Sequence, residues 1–212
     1  MFCRETHPVI HAVILALYGF SAFAVADTIS KWLVQDFGVH QILATGGLIG
    51  TLYTGIWTMR RYNGLQGFKT PHLKWHLWRA AFVTAIAFFV VSALSYIPLA
   101  DFYGIIFLSP MVVLLLSIIF LHEKAGIARI LTLSAGFSGV ILIAGPQFAH
   151  ANIGILLSFA AVFCVSGSAI MIRKIGQHDN LPLYAFYPAL LTFLVNAPFA
   201  AFQFRMPGTP DI

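Results

Sequence analysis

The sequence predicts an all-α membrane protein, a polytopic helical bundle with seven transmembrane helices. Three observations predict it. Seven apolar stretches run through the 212 residues. The composition is 59% hydrophobic and 9% charged, with a mean hydropathy of +0.88, far from soluble usage. Ten of the twelve Lys and Arg fall into every second gap between the stretches: Arg4; Arg60, Arg61, Lys69, Lys74 and Arg79; Lys124 and Arg129; Arg173 and Lys174. Only Lys31 and Arg205 lie in the other set. Loops rich in Lys and Arg stay cytoplasmic, so the N-terminus is expected inside. Anionic inner-leaflet lipid accounts for the +5 formal charge, and no nucleic-acid partner is implied. Cys3 and Cys164 cannot support a disulfide framework and are read as free thiols.

The first stretch, Val9–Ala26, extends its apolar face through Trp32, Leu33 and Val34. With Arg4 before it and Ala22, Ala24 and Ala26 near its end, it also has the outline of a cleavable signal, although the run is long for one. The second is Val39–Met59. The connection Arg60 to Arg79 is the longest, and Lys74, Trp75, Trp78 and Arg79 mark its end as an interfacial approach. The third span, Ala80–Ile97, reaches the fourth, Phe102–Leu121, through Pro98–Asp101; His122–Arg129 leads to the fifth, Ile130–Gly145. Connections this short make these spans antiparallel neighbours. Ile153–Ile172 and Leu181–Phe204 complete the set. Each approaches or exceeds the ~20 residues that cross hydrocarbon.

Sliding the chain so that Ile153–Asp179 lies over Ile10–Asp36 aligns Phe163 with Phe20, Ala169 with Ala26, Lys174 with Lys31 and Asp179 with Asp36. A five-helix unit is odd, so a second copy would enter the membrane upside down, as the inverted repeats of transporters do. The residues then suggest a family. The first span closes with Asp27-Thr-Ile-Ser-Lys31-Trp32-Leu33. The third and fourth carry Ala93-Leu-Ser-Tyr96-Ile-Pro98-Leu-Ala-Asp101 and Phe107-Leu-Ser109-Pro110. Leu121-His-Glu123-Lys124 follows, then Gly136-Phe-Ser-Gly139-Val140 and Gly145-Pro146. This ordered set resembles the EamA-type members of the drug/metabolite transporter superfamily. The resemblance implies ten helices in two inverted five-helix repeats around a central cavity. Here it implies one repeat over 9–146 and an incomplete second over 151–212, lacking a C-terminal helical segment. One departure is Thr45-Gly46-Gly47, where the family commonly has an Arg early in the second span.

Candidate site residues follow. Asp27 and Lys31 share a helix face and can pair, either lining a substrate path or snorkelling to outside water. Pro110 frees the carbonyl of Ile106 and kinks the fourth span, where Tyr103 and Ser109 offer hydrogen bonds. Tyr18 and Tyr96 are further cavity candidates. Arg79 and Glu123 are expected on the cytoplasmic side, pairing or capping helix ends as a gate. Small residues four apart (Gly46 and Gly50; Ala135 and Gly139; Ala160, Cys164 and Ser168) read as helix-packing positions.

Other chemistries find little support. Gly136-Phe-Ser138-Gly139 spells an intramembrane-protease string, but the later histidines, His150 and His178, fall in loops. His72 and His76, like His7 and His11, have metal-binding spacing without a third ligand, so loop or interfacial histidines explain them. No phosphate-binding glycine loop is present, and no cofactor or catalytic residue is expected. The expectation is a multi-pass inner-membrane carrier of small metabolites or drug-like solutes, working by alternating access, with the solute and the bilayer as partners. The alternative is a non-transporting fragment, or an interaction module that self-associates or is completed by another chain.

Overall fold

The computed structural model describes residues 6–62, 64–122, 126–144, 152–175 and 179–202. Among these the secondary structure is helical: α1 Thr6–Leu33, α2 Val39–Arg61, a 3-10 turn Gly64–Phe68, α3 Leu73–Tyr96, α4 Leu99–Ile106, α5 Ser109–Leu121, α6 Ile127–Ala144, α7 Ile153–Ile175 and α8 Leu183–Phe202. By length and composition, six crossings qualify as membrane spans, α4 and α5 counting together as Leu99–Phe120. The fifth apolar stretch forms α6, 18 residues long. The chain is a multi-pass membrane protein.

Two boundaries differ from those read in the sequence. The helix carrying the first span runs to Leu33, so Asp27 and Lys31 are both helical. The third span begins at Leu73 rather than Ala80, because the interfacial approach is itself the first two turns of α3. The fourth span is divided into two helices just before Pro110. Phe107 and Leu108 form a tight turn between α4 and α5, and Pro110 sits in the first turn of α5.

Two antiparallel helix pairs build the bundle: α2 lies along α8, and α3 along α7, while α3 also borders α8. Glycine sets both approaches. A Cβ at Gly47 would lie 2.7 Å from the Phe193 nitrogen, and one at Gly154 would lie 2.8 Å from Ile97. Of the expected pair Gly46 and Gly50, only Gly50 meets α8; Gly46 faces open space. Where α3 ends and α4 begins, Ala93, Leu94, Ile97 and Phe102 form an apolar cluster.

The distribution of polarity is inverted relative to a water-soluble fold. Thr54, Thr58, Thr84, Ser158, Ser166, Thr192 and Asn196 are buried, whereas Leu15, Phe20, Phe23, Leu131 and Phe202 are exposed. Lipid tails are as apolar as leucine, so close packing and interhelical hydrogen bonds hold such helices together. Thr54, Thr58, Ser158 and Ser166 each satisfy their hydroxyl on the carbonyl four residues back, which lets small polar groups face a neighbour without cost.

Candidate functional site

At the end of the bundle where α3 finishes, α1 is tied to its neighbours by two polar side chains. The Tyr103 hydroxyl of α4 donates to Asp27 Oδ2 of α1 at 2.7 Å. Lys31, one turn further along α1, does not pair with Asp27. Its ammonium donates to the carbonyls of Leu94 at 2.5 Å and Ile97 at 3.1 Å. The reason is local. Pro98 has no N–H to give the Leu94 carbonyl four residues before it, and Lys31 fills that vacancy. Tyr103 also sits in a run of rings, 5.6 Å from Phe102 and 6.2 Å from Phe107. The arrangement therefore places a carboxylate, a phenol and aromatic faces together at the kinked span.

Ser109 resolves differently. Its hydroxyl donates to the Ile106 carbonyl at 2.6 Å, the carbonyl that Pro110 leaves without a helix donor. The serine is buried, and its own carbonyl accepts a long bond from Ser166 of α7 at 3.4 Å. Ser109 and Pro110 are thus joined into the kink itself.

A second polar network lies at the opposite end, between the start of α3 and the α7–α8 connection. Asp179 Oδ2 accepts from Thr70 Oγ1 at 2.7 Å, His76 Nε2 at 3.0 Å and His72 Nδ1 at 3.2 Å. Burial pushes the Asp179 carboxyl up. The hydrogen bonds from Thr70 and His76 and the nearby histidine charges outweigh that and hold it below the usual carboxylate range. Around it, Asn180 donates to the Gly67 carbonyl at 3.0 Å and Tyr187 to the Phe68 carbonyl at 2.8 Å. Arg79 donates to the carbonyl of Tyr184, which Pro188 deprives of its helix donor, and its guanidinium lies over the Tyr184 ring at 5.7 Å. Arg79, expected to pair with Glu123 or to cap helix ends, contacts Tyr184 at this end of the bundle; Glu123 falls outside the described residues. The sequence showed the His72–His76 spacing, read as loop or interfacial histidines, and showed Asp179 only as a match to Asp36 in the repeat alignment, not as a site residue. The structure corrects this: His76 is 0% exposed and bonded to a residue over one hundred positions away. Among the described residues no group of His, Cys, Asp and Glu is arranged to hold a metal.

A third contact joins α2 to α8 at the first end, where His40 bonds Asn196 at 2.8 Å and stacks 4.9 Å from Phe199.

Residues 10–145 match the EamA-like transporter family. The chain belongs to that family. The superfamily of drug and metabolite transporters follows from it, and the chain is a transporter-type protein rather than an enzyme. Two relatives are both named riboflavin transporters. One, from Vibrio cholerae, is 25% identical over 204 residues, covering 95% of this chain and 68% of the relative. The other, from Brucella anthropi, is 25% identical over 178 residues, covering 84% of this chain and 62% of the relative. The chain thus spans about two thirds of the length of these relatives. No solved structure matches it.

In this EamA-family chain the remaining cavity candidates lie apart from the Asp27–Tyr103 contact. Tyr18, 73% exposed, projects from α1, and Tyr96, 56% exposed, ends α3 beside Gly154. Asp27, Lys31 and Tyr103 are the candidates that the fold gathers into one place.

Proposed function

We propose that this chain is the first repeat and part of the second of an inner-membrane carrier, with a cytoplasmic N-terminus. It moves a small planar heteroaromatic solute of the riboflavin kind by alternating access. The observation that carries this reading is the Tyr103–Asp27 hydrogen bond, a carboxylate held inside an apolar helix by the kinked fourth span. Charge within hydrocarbon is costly and is retained where it serves a path or a switch. The neighbouring rings of Tyr103 and Phe107 supply stacking surface, and the names of the two relatives supply the solute class. Asp27, Tyr103 and Lys31 contact or orient the solute, with Tyr18, Tyr96, Ser109 and Pro110 shaping the route.

The test is uptake of labelled riboflavin by cells that neither make nor import it, expressing the chain with and without the further helices of a ten-helix carrier. Uptake that depends on the chain, and an Asp27→Asn variant that inserts normally but transports several-fold more slowly, supports the reading. Wild-type uptake by Asp27→Asn removes Asp27 from the mechanism.

A second reading is a membrane module completed by another chain. It rests on α1, which leaves Leu15, Tyr18, Phe20 and Phe23 exposed and touches the bundle chiefly through α3 and α4. Crosslinking in membranes distinguishes the two, since a discrete hetero-complex favours the module.

A further inference from the structure

We propose that the outward face at the start of α3 is a site for one anionic phospholipid, built from Leu73, Lys74, Leu77 and Trp78. The phosphate meets the Lys74 ammonium, and an acyl chain lies along Leu73, Leu77 and the Trp78 ring. The site goes beyond the carrier reading and does not depend on what the bundle moves.

The groove follows from helix spacing. Leu73 and Leu77 are four apart, as are Lys74 and Trp78, so they stand as two parallel rows with a shallow groove between them. His76 and Ala80 are 0% exposed and turn into the bundle. The groove looks away from it, where Leu73 is 44%, Leu77 50% and Trp78 56% exposed and Lys74 is exposed as well. Ala81, exposed and small, continues the leucine row toward the bilayer interior.

Along the helix the chemistry runs in the order of a phospholipid. Lys74 lies one turn, about 6 Å of axis, nearer the helix start than Trp78. A phosphate therefore meets the ammonium at headgroup level, while the chain descends past Leu77 and the indole.

Charge selects an anionic headgroup. Arg60, Arg61 and Lys69 share this end of the bundle and are exposed. The one described carboxylate at this end, Asp179, has a side chain 5% exposed and already accepts from Thr70, His72 and His76. Arg79 is committed to Tyr184. Among the described residues no carboxylate pairs with Lys74. An anionic lipid supplies that counter-charge, whereas a zwitterionic headgroup brings its own cation and gains less.

The test reconstitutes the full chain, with Trp78 as the sole tryptophan (Trp32→Phe, Trp57→Phe, Trp75→Phe), in vesicles of equal parts phosphatidylglycerol and phosphatidylcholine. Bromine is carried on the acyl chains of one lipid or the other, and quenching of Trp78 reports which lipid lies beside it. Both leaflets hold the same lipids, so the direction of insertion does not enter. Phosphatidylglycerol should be enriched roughly fivefold at Trp78, the factor for one cation at a lipid headgroup. Lys74→Gln should bring the two lipids level, while Lys69→Gln should leave the preference in place. Native mass spectrometry of the chain with all four tryptophans should show phosphatidylglycerol retained in preference to phosphatidylcholine, and that preference lost in Lys74→Gln. If the single-tryptophan protein does not fold, this second measurement decides alone. Equal association of the two lipids with the Lys74 protein overturns the proposal. So does a preference that survives Lys74→Gln, or one that falls equally in Lys69→Gln and so marks a diffuse basic surface. Neither measurement involves solute, so the lipid result and the uptake result can fail separately.

Discussion

Pro98, Pro110 and Pro188 each withdraw a backbone N–H, and a side chain answers each carbonyl left behind: Lys31 at Leu94, Ser109 at Ile106 and Arg79 at Tyr184. In hydrocarbon an unmet carbonyl has no water to turn to, so these donors become interhelical or local fasteners. Lys31 and Arg79 therefore have structural work beside any contact with solute. Asp27 is left to Tyr103 alone among the described partners. A double-mutant cycle with Asp27→Asn and Tyr103→Phe should give a coupling of about 0.6–2 kcal/mol in unfolding from detergent, the range for interhelical hydrogen bonds. Coupling near zero would mean the pair does not hold α1 to α4. The Asp27 and Pro110 signals were readable in the sequence because charge and proline inside apolar runs are rare. The donors that answer Pro98 and Pro188 were not, since Lys31 and Arg79 lie far from those prolines along the chain.

At the scale of helices, small residues decide which faces meet. Gly47 sits against the α8 backbone, and an added Cβ would lie 2.7 Å from the Phe193 nitrogen and 3.0 Å from the Ala189 carbonyl. Backbone cannot yield as a side chain does. Gly47→Leu should cost about 1–3 kcal/mol or more, read as a lowered unfolding temperature in detergent. Gly46→Ala, with nothing within 4 Å, should be neutral or mildly stabilising through helix propensity. Equal effects at the two positions would contradict the α2–α8 packing. The four-residue spacing in the sequence marked this region of α2 as close-packed, but the adjacent glycines Gly46 and Gly47 differ by one hundred degrees of helix rotation. Which of them faces a neighbour is set by the partner helix.

Across the whole molecule the apolar surface faces outward and hydroxyls, an amide and an imidazole face inward. The arrangement leaves α1 loosely held, by Asp27, Lys31 and a limited contact with α3 and α4. Orientation is testable with single cysteines in a background lacking Cys3 and Cys164. With a cytoplasmic N-terminus, Asp36→Cys should react with an impermeant maleimide from outside intact cells, and Leu65→Cys should not. The reverse pattern would overturn the positive-inside assignment.

The sequence by itself determined the class: several helices apolar enough to cross a membrane, their approximate ends and their family. Composition and charge asymmetry act through the bilayer, and each span is read from its own residues. Only the tertiary structure decided that Lys31 serves α3 rather than Asp27, that Gly47 rather than Gly46 meets α8, and that His72 and His76 converge on Asp179. Those outcomes depend on helix rotation and on contacts between distant segments. Hydropathy carries no trace of either, because an apolar run reads the same whichever face it turns inward.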